Sequence, residues 1–289
     1  MNHHTFLILG ANGQLGKQFK KELVARRENV IAPEEKDCDI TSFDKLARYV
    51  EAEAPTVIIN CAAYNAVDQA EQQTDTAYLI NGKSVEYIAK LCKQFGIFLV
   101  HYSSDYVFDG KKGNLYDESE VPNPLNVYGK SKLAGEEAMQ KYGGSYLLFR
   151  TSWVFGSGTQ NFIYKMSQWA QNNPVLKLSC DEVSVPTSTL DLVSLTLLSL
   201  EKGLKGLYHL TSSDYASRYE WGRYIVRSIS PQTIIIPVPM ATFPSAAQRP
   251  IFSAMSNASL ERDLDIEIHP WQNAVDKFLL EYPDTMKHS

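Results

Sequence analysis

Tyr128 and Lys132 stand four residues apart in "VYGKSKLAGEE". On a helix that spacing puts a phenol and an ammonium on one face, one turn apart. A free phenol has a pKa of about 10, so its anion is a costly species at neutral pH. A cation within about 4–6 Å stabilises the anion and lowers that pKa. Such a pair can give a proton to a developing alkoxide and be reprotonated between turnovers. The bland alternative is a surface pair with no chemistry. Upstream, the apolar run "IFLVHYSS" ends on two hydroxyls, Ser103 and Ser104. A hydroxyl at a strand end can hold a carbonyl oxygen beside the phenol.

A second group of residues reads as a phosphate cradle. "LGANGQLGK" carries Gly10, Gly13 and Gly16 between an apolar run and a helical one. Gly10 permits a tight turn, Gly13 lets the backbone approach a pyrophosphate, and Gly16 lets the helix pack closely on the sheet. The helix N-terminus then offers free N–H groups and a positive dipole end. Glu34 and Glu35 fall roughly 20 residues past the turn, where an acid holds a ribose 2′-hydroxyl and favours NADH. Lys36 beside them favours a 2′-phosphate and NADPH, so both readings stand.

Those residues need strands that end at one edge. The chain supplies apolar runs at 5–10, 29–32, 56–60, 97–104 and 145–152, alternating with helical periodicity at 14–27, 42–53, 75–96 and 127–142. Near-continuous apolar strands alternating with helices predict a parallel sheet covered on both faces, a Rossmann-like doubly wound α/β fold. After Ser152 the rhythm loosens. Helices are expected at 161–172, 187–202 and 217–229, and "GLYHLTS" at 206–212 reads as one more strand. Residues 230–270 are proline-rich and predict less regular structure. The expected division is a dinucleotide-binding domain of residues 1–152 plus a returning segment at about 185–212. A smaller, mixed α/β substrate-binding lobe takes 153–184 and 213–289.

Composition narrows the class. The chain has 289 residues, 44% of them hydrophobic, and a net charge of −5, which suits a globular protein and gives nucleic-acid binding no support. Four cysteines, Cys38, Cys61, Cys92 and Cys180, form no CxxC pair, so a reducing cytoplasm is expected and a metal site is not. No signal-peptide pattern or membrane span is expected. His3 and His4 read as disordered terminus, and His101 as a core residue of its strand.

The order of glycine turn, strand-end serine and Tyr-x-x-x-Lys, with the GxxGxxG spacing, resembles the short-chain dehydrogenase/reductase superfamily. In that superfamily the catalytic hydroxyl precedes a Val-Phe or Val-Tyr pair by three residues. Val107-Phe108 therefore selects Ser104 over Ser103. The same resemblance implies that Asp39 with Ile40 meets the adenine amino group, that Lys132 also bonds the nicotinamide ribose, and that Asn81 helps position the lysine. The small residues Ala62 and Ala63 leave room for a cofactor.

"GANGQLG", "AAYNAVDQAE", "SSDYVFDG", "NPLNVYGKSKLAGE" and "FRTSWVFGSGTQNF" occur in order. Together they resemble dTDP-4-dehydrorhamnose reductases, closely over residues 5–165 and more weakly beyond. The resemblance implies NADPH- or NADH-dependent reduction of the 4-keto group of dTDP-6-deoxy-L-lyxo-4-hexulose to dTDP-L-rhamnose, a precursor of surface polysaccharide. It implies catalysis by Ser104, Tyr128 and Lys132. Cofactor contacts fall on Gly10, Asn12, Gly13, Gln14, Leu15, Gly16, Asp39, Ile40, Ala62, Ala63, Tyr64, Asn65 and Asn81, besides Tyr128 and Lys132. Sugar-nucleotide contacts fall on Ser104, Asp105 and Trp153, with Asn161 and Arg249 expected at the diphosphate. Trp153 offers a flat apolar wall with an N–H to donate.

Some relatives bridge a dimer through metal-bound acidic residues. Leu15 and Leu190 supply no carboxylates, so no metal is expected. A monomer or homodimer with a sugar-nucleotide substrate, and no nucleic acid or membrane partner, completes the expectation. "DEVSVPTS" and "RPIFSAM" depart from the family's commoner Gln- and Gly-containing and RP-x-N-S versions. The rival readings are another epimerase or dehydratase of the superfamily, or a non-catalytic dinucleotide-binding regulatory subunit.

Overall fold

The computed structural model describes residues 4–281. The first half alternates as the periodicity predicts: β1 (Thr5–Leu9), α1 (Gln14–Ala25), β2 (Asn29–Ile31), α2 (Phe43–Glu53) and β3 (Val57–Asn60). The short helices α3 (Val67–Ala70) and α4 (Thr74–Tyr78) lead on to α5 (Ser84–Phe95), β4 (Phe98–Ser104), α6 (Val127–Tyr142) and β5 (Tyr146–Thr151). Next come β6 (Val154–Phe155), α7 (Phe162–Asn172), β7 (Val175–Ser179), β8 (Val183–Ser184), β9 (Thr187–Ser188), α8 (Thr189–Glu201) and β10 (Gly206–His209). The last described elements are β11 (Ala216–Ser217), α9 (Arg218–Ile229), β12 (Ile234–Val238), α10 (Ala258–Leu264) and α11 (Trp271–Glu281).

Six strands form one parallel sheet in the order β10-β5-β4-β3-β1-β2. From β1 the chain steps to β2 on one side and then to β3 on the other. The reversal opens a crevice beyond the carboxyl ends of β1 and β3. The apolar runs are continuous because both faces are covered. Phe19 and Leu23 of α1 pack on one face with Leu192 and Leu197 of α8 and Leu260 of α10. Leu46 and Val50 of α2, Ile88 of α5 and Met139 of α6 pack on the other. A separate core of Phe155, Trp221, Trp271 and Phe278 stands beside the parallel pair β7 and β12.

Three expectations change in detail. The helix expected over 75–96 is interrupted by a wider π-type turn, Leu79–Lys83, before Gly96 ends it in the left-handed conformation. Such turns insert one extra residue and re-aim side chains; here the side chain is Asn81. The proline-rich 230–270 segment contains β12 and α10. Pro237 is tolerated because β12 is an edge strand paired on one side. His3 lies outside the described residues, while His4 packs edge-on against Phe6 and bonds Thr56. Among the described residues, no helix is long and apolar enough to cross a membrane.

Candidate active site

Ser104 closes β4 and caps the short turn that follows. Its Oγ accepts the Tyr106 N–H at 3.1 Å and donates to Asp105 Oδ1 at 3.1 Å. The start of α6 is held just as firmly. Asn126 caps it by accepting the Gly129 N–H at 2.8 Å, and Glu71 accepts the Val127 N–H at 2.8 Å. Tyr128 and Lys132 thus occupy the first and second turns of a pinned helix. Gly129 sets how near that helix comes to Ser104, since a Cβ there would lie 2.1 Å from the Tyr106 carbonyl oxygen. No side chain fits that gap. On the far side, Arg150 of β5 grips Glu136 of α6 through three hydrogen bonds, the shortest 2.6 Å, and both side chains are buried.

Lys132 is buried, and its Nζ donates to the Tyr102 carbonyl. Burial pulls its pKa down to about 8, while Glu136 pulls it back up. The Tyr128 ring is partly exposed and meets the Tyr106 ring edge-on at 5.8 Å. Its phenol is pushed up to about 12 by burial; a hydrogen bond with Ser104 lowers it and the Asp105 charge raises it. This reverses the expected direction. Desolvation of a would-be phenolate outweighs the one contact that favours it, the Ser104 hydrogen bond. The consequence is a phenol that stays protonated at neutral pH and is ready to act as an acid.

Beside this group lies a cavity of about 360 Å³ at the β1/β3 crevice. Gly10, Asn12, Gly13, Asp39, Ile40, Ala62, Ala63 and Asn65 all line it, together with Glu34, Glu35, Thr41 and Gln160. Gly10 has a φ of +73°, and a Cβ there would lie 2.6 Å from the Ala62 nitrogen. Only glycine lets the β1 and β3 loops touch. A Cβ on Gly13 would meet no protein atom closer than 3.4 Å, so its smallness serves the cavity rather than the fold. Asp39 accepts both the N–H and the hydroxyl of Thr41, and these bonds hold its carboxyl below the ordinary range.

Gln14, Leu15, Gly16, Tyr64 and Asn81 stand behind this lining. Gln14 donates to the Val154 carbonyl at 3.3 Å, Leu15 packs on the core, and Gly16 presses against the Gly10 carbonyl. Asn81 does not bond Lys132. It brackets the Tyr64 backbone, accepting its N–H at 2.8 Å and donating to its carbonyl at 3.0 Å, and donates to Ser131 of α6 at 3.0 Å. It therefore locks the β3 loop to α6, next to the lysine rather than on it.

A second cavity, about 250 Å³, lies between Asp68 of α3 and the second half of the chain. Phe162, Trp169 and Phe243 provide aromatic walls, and Lys177, Arg218 and Arg249 provide cations. Arg249 is already paired, its two terminal nitrogens 3.2 and 2.7 Å from the Asp68 carboxylate. Asn161 is corrected. Its Nδ2 donates to the Gly156 and Gly158 carbonyls and its Oδ1 caps Tyr164, so no group remains for a diphosphate. Trp153 is likewise not an open wall. Trp221 stacks near it at 5.5 Å, and the Arg218 guanidinium lies 3.6 Å from its ring centre.

Arg218 is the residue that sequence reasoning missed. Its signal was weak, a capped first helical residue in "SRYEW", and only folding brings it onto Trp153. Asp105, in turn, is buried beneath Ser104 rather than lining this cavity. A larger open groove of about 670 Å³ runs along Tyr219, Arg223 and Tyr224 of α9 and shares no residue with either site cavity.

The geometry can be set against known proteins. A family model described as RmlD substrate binding domain matches residues 4–283. The dTDP-4-dehydrorhamnose reductase of Burkholderia thailandensis is 35% identical over 286 residues, covering 93% of this chain and 96% of that protein. That of Escherichia coli K12 is 33% identical over 292 residues, covering 96% and 97%. A solved structure of the Bacillus anthracis dTDP-4-dehydrorhamnose reductase in complex with NADP superposes with a TM-score of 0.92 at 33% identity, covering 96% of this chain and 99% of that one.

Proposed function

We propose, starting from a chain that belongs to the RmlD substrate binding domain family, that this protein is an NAD(P)H-dependent oxidoreductase. It reduces the 4-keto group of dTDP-6-deoxy-L-lyxo-4-hexulose to give dTDP-L-rhamnose. The names of the relatives support the reaction, and the NADP in the Bacillus anthracis structure supports the cofactor class. The observation that carries the reading is the close approach at Gly129, where a Cβ would lie 2.1 Å from the Tyr106 carbonyl oxygen, which brings Tyr128 of α6 to Ser104 with Lys132 one turn on, near the glycine-lined cavity.

The residues fit a dinucleotide. The Gly10–Gly13 turn and the free N–H groups at the start of α1 would hold the pyrophosphate. Glu34, Glu35 and Asp39 would face the adenosine end, and Ala62, Ala63 and Asn65 would take the remainder. When bound, NADPH or NADH supplies the hydride that goes to C4 of the sugar. Tyr128 gives its hydroxyl proton to the C4 oxygen as negative charge develops there. Lys132, close to α6's own first turn, stabilises the phenolate that remains until a solvent proton restores it. Arg218, Lys177 and Arg249 bind the substrate's diphosphate, and Phe162, Trp169 and Phe243 cover its base.

Residues 1–152 with about 185–212 serve as the cofactor half, and 153–184 with 213–289 as the substrate half. The enzyme works in the cytoplasm as a monomer or homodimer, without nucleic acid or membrane partner. The test is loss of reduced-nicotinamide absorbance with the dTDP-keto-sugar. Turnover is expected, and Tyr128→Phe should lower kcat by about 10²–10⁴-fold with cofactor affinity little changed. A Tyr128→Phe protein that keeps wild-type kcat would remove the tyrosine from the chemistry.

A further inference from the structure

Asp105 is 2% exposed, yet three hydroxyls converge on it. Ser104 donates to Oδ1 at 3.1 Å; Ser184 and Ser253 donate to Oδ2 at 2.7 and 2.6 Å. The two Oδ2 donors come from far along the chain, from β8 and from the segment after Arg249. These segments are tied to each other, since Val183 N–H bonds the Ile251 carbonyl at 2.8 Å and Ser253 N–H bonds the Val183 carbonyl at 2.9 Å. A serine hydroxyl has one proton and two lone pairs. Ser104 gives its proton to Asp105 and one lone pair to Tyr106 N–H, which leaves a single lone pair free, and Tyr128 is its remaining hydrogen-bonding neighbour.

We propose that Ser184 and Ser253 are positioning residues for the reduction, holding Asp105 as a fixed, ionised acceptor that dictates which way the Ser104 hydroxyl points. The inference rests on the proposed reductase reading. An ionised Asp105 can accept all three protons. A protonated one must give up an acceptor site and become a donor, and Ser104 then loses its fixed direction toward Tyr128.

The titration that follows has a definite sign. Burial pushes the Asp105 carboxyl up to about 6; the bonds from Ser253, Ser184 and Ser104 pull it down, and Arg218 of α9 adds a smaller pull. The other charged or titratable groups nearby are Tyr128 of α6, whose pKa Asp105 raises, and Tyr106, which also feels Glu182, Arg218 and Arg249. Lys132 titrates on the alkaline side, and burial keeps His101 and His209 neutral far below this range. The acid limb of kcat therefore belongs to Asp105, with the reduction faster above about 6 than below it.

The experiment measures kcat against pH for the full chain and for Ser184→Ala, Ser253→Ala, the double variant, Ser184→Thr and Asp105→Asn. In parallel, the carboxyl carbons of isotope-labelled aspartates are titrated by NMR, with Asp105 identified by its loss in Asp105→Asn. Each alanine should move both the kinetic limb and the Asp105 midpoint upward by about one pH unit, the equivalent of one lost hydrogen bond to a charged oxygen. Ser184→Thr should restore both, and Asp105→Asn should abolish the limb. A structural role alone lowers activity or melting temperature without moving either midpoint. An unmoved Asp105 midpoint in the double variant, or a wild-type acid limb in Asp105→Asn, overturns the proposal. Absence of wild-type turnover counts against the reductase reading instead, and the NMR titration still decides whether the serines set the charge of Asp105.

Discussion

Replacing Gly129 with alanine sets two effects of opposite sign against each other. Alanine favours a helix interior over glycine by about 0.8–1.0 kcal/mol, and position 129 is the third residue of α6. Against that gain, the new Cβ would sit 2.1 Å from the Tyr106 carbonyl oxygen and 3.0 Å from the Pro124 Cβ. The obstacle is backbone and cannot rotate away. Relief requires a movement of roughly 1 Å, and overpacking of this kind costs about 1–3 kcal/mol. The two nearly cancel at the low end and steric strain wins above it, for a net loss of up to about 2 kcal/mol. Function should suffer more than stability. The Tyr106 N–H is tied to Ser104 Oγ, so pushing Tyr106 away displaces Ser104 while α6 carries Tyr128 in the other direction. A misplacement of about 1 Å between reacting groups costs about 10²-fold in rate. The assay compares kcat, melting temperature and cofactor affinity by fluorescence. A kcat down about 10²-fold is expected, with a melting temperature lower by a few degrees and cofactor affinity nearly unchanged. If kcat stays at the wild-type level, the Gly129 contact does not set the Tyr128–Ser104 geometry, and the carrying observation of the proposed function fails with it.

Three further outcomes follow from the same contacts. Lys132 is held at about 8 against an ordinary 10.5, so between those values the unfolded chain binds more protons than the folded one. Stability should therefore rise with pH across that window, by roughly 3 kcal/mol in total, and denaturant titrations of Lys132→Met should lack that part of the slope. Glu136→Gln leaves Arg150 buried without its counter-charge and should cost about 3–5 kcal/mol; it should also lower the alkaline limb of activity, because Glu136 raises the Lys132 pKa. A destabilisation under about 1 kcal/mol would show that the pair is not buried as described. Arg218→Ala should raise KM for the sugar nucleotide about 10–100-fold with a smaller change in kcat; an unchanged KM would exclude Arg218 from the diphosphate site.

Much of the scaffold was legible in the chain. The strands at β1, β3, β4 and β5 are buried on both faces, so their apolar runs carry no alternation to confuse. The helices α7, α8 and α9 fall within two residues of their expected limits, helped by Asn161, Ser188 and Ser217 as caps. "GLYHLTS" joins the main sheet beside β5. The wider turn at Leu79–Lys83 was not legible, because a single inserted residue hardly alters a helical pattern. Nor was β12, whose strand partner β7 lies some sixty residues earlier. Of the site, the position of the glycine turn between β1 and α1, and of Tyr128 and Lys132 on the first turns of α6, was readable from spacing and order, while the preference for Ser104 over Ser103 came from the resemblance. The roles expected of Asn161 and Trp153 were not sustained, since the partners that occupy them are backbone carbonyls and an arginine that spacing does not reveal.

By itself, the sequence determined where a phenol and an ammonium share a helix face, where glycine permits a turn, and which runs must be buried. Each of these depends on residues within a turn or two of one another, so periodicity and residue type suffice. Only the tertiary structure decided that burial raises the Tyr128 pKa, that Arg218 covers Trp153, and that Ser184 and Ser253 close on Asp105. These depend on which distant segments meet and how much water they exclude. Desolvation and long-range hydrogen bonds exist only once the chain has folded.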